Sequence, residues 1–214
     1  MGKGLIVLFM ANTVMKMSKR GIRMLFETLA LLAVVVAAGA ICAAIVRMDW
    51  KRYGLLYLLS ATTAVALCFF FTYVGFYSFP VNVLHGSLTI PYALVMTAFP
   101  SAVLFGVRYS PERWPWKIPF YWSIVHIGFL GEVLLLSTPI FDFSPEWDLW
   151  DSYALWWLYY LLFELLGGKL IPPNLRKPLP TDALRYGRWA WIVLHVIVVA
   201  TIFLAGVYFG VTVL

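Results

Sequence analysis

Charge is what this chain has least of: 12% of its 214 residues are Asp, Glu, Lys or Arg, against 63% hydrophobic, and the mean hydropathy is +0.87. A soluble domain carries about a quarter charged residues, so the composition excludes one and makes lipid the solvent for most of the chain. Lys and Arg are missing altogether from residues 53–107, 118–168 and 189–214. Cysteine is nearly as scarce. Cys42 and Cys68 both fall inside apolar stretches, where a thiol behaves as a small apolar group, which excludes a disulfide framework and a CxxC redox or metal site. The phosphate-binding P-loop, HExxH, GxSxG and an Arg-rich voltage-sensor helix are absent too, so ATP hydrolysis, zinc proteolysis and serine hydrolysis lack their machinery. No cofactor is expected.

What is present is long apolar sequence. Lipid cannot hydrogen-bond a backbone, so crossing segments are helices or closed barrels, and these stretches are too long and too continuously apolar for barrel strands. The expected fold is all-α, a polytopic transmembrane helical bundle of five or six spans. A basic tail, residues 1–23, precedes one domain, 24–214. A helix needs about 20 apolar residues to cross; the stretches that qualify or nearly so lie at about 24–46, 54–77, 88–107, 118–140, 154–171 and 189–211.

The 16 basic residues fall in four clusters: Lys3 to Arg23, Arg47 to Arg52, Arg108 to Lys117, and Lys169 to Arg188. Such clusters at the ends of apolar runs face lipid headgroups and set orientation, which explains the net charge of +6 without nucleic acid as a partner. Loops 47–53, 108–117 and 169–188 are expected in the cytoplasm, and the C-terminus outside. Five basic residues before the first span break this pattern. Either residues 24–46 form a hairpin, peripheral or mobile segment, or the short tail crosses, or a signal peptide is cleaved near Ala38-Gly39-Ala40; an uncleaved anchor is preferred. Its Gly39, Ala40, Ala43 and Ala44 offer small-residue pairs through which a helix approaches another closely, a face for self-association or for another membrane protein.

Ionisable groups inside spans are expensive and are functional suspects by default. The candidates for a ligand or proton site are His126, Glu132, Glu164 and His195. With the basic loops on one side, His126, Glu164 and His195 lie about 12, 10 and 9 Å from that side at about 1.5 Å per residue, a shared level where a Glu flanked by two His holds a proton, a cation or a headgroup. The alternative is that each bonds a neighbouring helix. Glu132 lies deeper, about 240° around the helix from His126. Glu27 reads as an interfacial ion pair with Arg23.

Residues 141–153, FDFSPEWDLWDSY, form an acidic, aromatic loop with Asp142, Glu146, Asp148 and Asp151. Its carboxylates suit a hard cation or a cationic ligand, while its tryptophans suit an interfacial belt; the spacing is not an EF-hand, and no metal is assigned. The proline-rich basic loops suit anionic lipid or a soluble partner. Pro91, Pro100, Pro119 and Pro139 predict kinks.

The ordered series DWKRYG, FPSAVLFGVRYS, IVHIGFLGEVLLL and YALWWLYYLLFE resembles small multi-pass membrane proteins common in Bacillus-like and Clostridium-like spore formers. The resemblance covers about Trp50 to Leu214, implies a five-helix bundle, and carries over no site residue. The expected function is that of a bacterial-type integral membrane component, non-enzymatic, binding lipid, a small molecule or a partner membrane protein. The alternatives are a small proton-linked or cation-linked transporter and an intramembrane enzyme acting on lipid, both using the buried His and Glu groups.

Overall fold

The computed structural model describes residues 25–80 and 91–180, with Val196–Val198, Thr201, Ile202 and Tyr208 beyond them. The basic tail 1–23, His195, Arg185, Arg188 and most of the sixth expected span lie outside the described residues. The described chain is an all-α bundle of five long helices: α1 (Leu25–Val46), α2 (Trp50–Val74), α3 (Tyr92–Tyr109), α4 (Trp114–Leu136) and α5 (Leu149–Leu170). Two-residue strands β1 (Tyr77–Ser78) and β2 (Asp142–Phe143) pair antiparallel, Tyr77 opposite Phe143.

The second, fourth and fifth helices start about four residues before the apolar stretches suggested, because a helix starts at its cap and not at its first apolar side chain. Asp49 caps α2, its carboxylate accepting from Arg52 N at 3.0 Å. At α5, Asp148 accepts from Trp150 N and Asp151 N while Asp151 accepts from Asp148 N, a reciprocal capping box that also sets two acids at the positive end of the helix dipole. Gly75 (φ 91°) ends α2 in the left-handed conformation that a side chain disfavours, letting Phe76 N donate back to Phe71 O at 2.9 Å. Pro139 lies beyond the end of α4, and Pro91 sits at the start of α3.

Pro100 is inside α3, and its ring leaves the carbonyl four residues earlier without a helical donor. That carbonyl, Met96 O, accepts from Tyr57 OH of α2 at 3.1 Å, so the broken ladder becomes a link between helices.

α5 packs against α2, α3 and α4, and α2 against α3. Glycines set the approach. A Cβ on Gly106 would lie 2.9 Å from Tyr121, one on Gly128 2.7 Å from Trp156, and one on Gly167 2.5 Å from Val107, so α3–α4, α4–α5 and α3–α5 each meet where a side chain is missing. α1 joins through Ala38, Cys42 and Ile45, one turn apart on a single face, with Cys42 Sγ 3.7 Å from Thr97 O. It is one continuous helix, which overturns the hairpin reading of residues 24–46. Ala40, Ala43 and Ala44 are exposed and nothing lies near Gly39, so the small-residue face points away from the bundle.

Four helices, α1 to α4, are long and apolar enough to cross a membrane. α4 buries only Lys117, Tyr121 and Val125, a stripe at four-residue spacing, and turns Ile127, Leu130 and Leu134 outward. A bundle with such an exterior has lipid for its solvent: the chain is a membrane protein. α5 has matching length but carries three Trp, three Tyr, Asp151, Glu164 and Lys169, and like α3 it touches three other helices. Its Ser152 and Glu164 are buried against the other helices, while Leu158, Leu162 and Leu165 face outward.

Candidate functional site

Contacts sort the bundle into two ends. At one, the segment after α5 folds back across α3: Lys177 N donates to Arg108 O at 2.9 Å and Leu179 N to Tyr109 O at 3.1 Å. Leu175 O accepts from both Tyr53 OH (2.8 Å) and Arg108 Nη1 (3.0 Å), and Ile171 O accepts from Arg176 Nε (3.0 Å). These bonds bring the start of α2, the end of α3 and the end of α5 together. All nine described Lys and Arg residues belong to this end. Arg108 Nε and Arg176 Nη2 are buried there without a protein partner.

Just inside it lies Glu164, 3% exposed. Its Oε1 is ion-paired with Lys117 Nζ and accepts from Ser110 Oγ at 3.4 Å; its Oε2 accepts from Tyr121 OH at 2.6 Å. Lys117 also lies 5.4 Å from the Trp114 ring. The expectation for Lys117 as a loop cation needs correcting: it is buried in α4, one turn before Tyr121, and neutralises Glu164. Lys117, Tyr121 and Ser110 were not among the expected site residues, although a Lys and a Tyr four apart on one helix face carry the signal.

His126 does not join Glu164. Its Nδ1 is 2.8 Å from Trp122 O on its own helix, and its ring lies between Trp122 and Tyr153, so the expected shared level brings no contact between His126 and Glu164.

At the other end, Glu132 of α4 bonds across to α5: Oε1 accepts from Ser152 Oγ and Oε2 from Trp156 Nε1, both at 2.7 Å. Ser152 Oγ in turn lies 3.3 Å from Tyr77 OH. Tyr77 is packed among Phe71, Phe141, Phe143 and Trp147, the aromatic cluster that ties the α2–α3 connection to the α4–α5 connection. The acidic loop is ordered by its own carboxylates: Asp148 and Asp151 cap α5, Asp142 accepts from Phe143 N at 3.0 Å, and Glu146 is exposed. Among the described residues no group of three or more His, Cys, Asp or Glu is arranged to hold a metal ion.

Two polar centres therefore bracket α4 and α5. Chemically they are opposite: Glu164 has a lysine to neutralise it, whereas Glu132 has neutral donors only. No protein-family model matches this chain, and no curated protein or solved structure does.

Proposed function

We propose that the protein is a non-enzymatic, multi-pass component of a bacterial cell membrane whose basic end lies at the cytoplasmic leaflet and holds anionic phospholipid. One observation carries this reading: the described cations are gathered at one end of the bundle, where Arg108 and Arg176 are fixed by their bonds to Leu175 O and Ile171 O. Anionic headgroups attract such a cluster by roughly 1 kcal/mol per cation near the surface, and positive ends stay on the cytoplasmic side. The site at Glu164 supports a static component over a proton-linked carrier, since a carboxylate already held by an ammonium, a phenol and a hydroxyl has little coordination left to give.

The test is thermal unfolding of the protein in bilayer discs of phosphatidylcholine with and without phosphatidylglycerol. Anionic lipid should raise the midpoint, and added salt should shrink the gain through screening. Equal midpoints in both bilayers would remove the lipid-binding reading.

A further inference from the structure

Glu132 is half-buried in α4, a helix long and apolar enough to cross a membrane. Its two oxygens meet different kinds of partner. The indole Nε1–H of Trp156, 2.7 Å from Oε2, can only donate, whereas the hydroxyl of Ser152, 2.7 Å from Oε1, both donates and accepts. A second hydroxyl of the same kind follows: Ser152 Oγ lies 3.3 Å from Tyr77 OH, and either atom can be the donor. Packing holds the set in place. Ser152 is 1% exposed, and Trp156 is stacked on Phe99 of α3, ring centres 4.6 Å apart, where Gly128 has no Cβ to displace it.

Such a set is satisfied in both protonation states of the acid. With Glu132 ionised, Ser152 donates to Oε1 and Tyr77 donates to Ser152. With a proton on Oε1, the acid donates to Ser152 Oγ and Ser152 donates to Tyr77 OH, while Trp156 donates to Oε2 in either case. Fixed donors alone would hold the carboxylate and leave the proton of the neutral acid without an acceptor. Glu164 shows the contrast, its carboxylate being ion-paired with Lys117. Among the described residues, the titratable groups near Glu132 are Cys68 of α2 and Tyr77 of β1, with Asp151 of α5 beside Tyr77. His126 of α4 is turned to Trp122 and Tyr153 instead, and α3 contributes the apolar Phe99.

We propose that Glu132 is a proton-binding site of the folded protein, and that the hydroxyls of Ser152 and Tyr77 reverse their direction as its proton comes and goes. The carboxyl O–H bond breaks or forms at Oε1, and water at the end with the acidic loop takes or gives the proton. The junction of α4, α5 and the β1–β2 pair thereby responds to pH without carrying a proton across the bilayer. The experiment is infrared difference spectroscopy of purified protein in detergent, titrated between about pH 4 and pH 9, the range from an ordinary glutamate to a buried one. A protonated-carboxyl C=O band should titrate reversibly, vanish in Glu132→Gln, and be accompanied by a tyrosine band of the same midpoint that is missing in Tyr77→Phe. In Ser152→Ala the midpoint should rise by about one pH unit, because the hydrogen bond lost from the carboxylate is stronger than the one lost from the neutral acid; this arm also serves if Glu132→Gln does not fold. A carboxyl band that is constant or absent over the whole range, its survival in Glu132→Gln, an unmoved midpoint in Ser152→Ala, or a tyrosine band that does not follow it overturns the proposal.

Discussion

Glu164 and Lys117 are each useful only because the other is there. A carboxylate 3% exposed and an ammonium 8% exposed are costly to bury singly, and Tyr121 and Ser110 supply the remaining bonds. Removing one partner strands the other, so Glu164→Ala and Lys117→Met should each cost about 3–5 kcal/mol. The double variant Lys117→Met, Glu164→Leu should cost much less than their sum, because no uncompensated charge remains. Unfolding in detergent measures all three; additive losses would mean that the two groups do not act as a pair. Glu164 and Glu132 stood out in the sequence as acids in apolar runs, but their partners did not. Lys117 sits among loop cations with Arg108 and Arg113, and only the start of α4 at Trp114 turns it inward. Ser110, Ser152 and Trp156 carry no mark of their role, since a hydroxyl or an indole is ordinary in a membrane helix.

Among the elements, α2, α4 and α5 begin before the apolar stretches that announced them. Apolar length predicts where a helix can cross lipid, whereas Asp49 and Asp148, which start α2 and α5, are polar and lie outside the apolar window. How the most polar helix is seated was hidden as well: α5 turns Leu158, Leu162 and Leu165 outward and packs its Tyr159, Phe163 and Glu164 face against the other helices. Its fit depends on Gly167. A Cβ there would lie 2.5 Å from Val107 Cγ2 on α3, closer than carbon atoms pack, so α3 and α5 would have to part. Gly167→Ala should therefore destabilise by about 1–3 kcal/mol, despite alanine's better helix propensity, as overpacking does. Val107→Ala in the same chain should recover most of that loss. Without the recovery, the penalty would not arise at this contact.

For the described bundle, charge and the proposed orientation point the same way. The described cations belong to the end where α2 and α4 begin, and Asp142, Glu146, Asp148 and Asp151 to the end where α5 begins. The proposed orientation puts the first end in the cytoplasm, as the positive-inside rule expects of a cationic end. Glu112 and Glu146 are exposed at opposite ends, and the native thiols, Cys42 and Cys68, are inside α1 and α2, where a membrane-impermeant reagent does not reach. Single cysteines at these sites, Glu112→Cys and Glu146→Cys, therefore report orientation against a low background. In intact cells an impermeant maleimide should label Glu146→Cys and spare Glu112→Cys, which should react only after lysis. The reverse pattern would turn the bundle over. It would place the basic platform away from cytoplasmic anionic lipid, so this one labelling experiment fixes the leaflet that the platform faces.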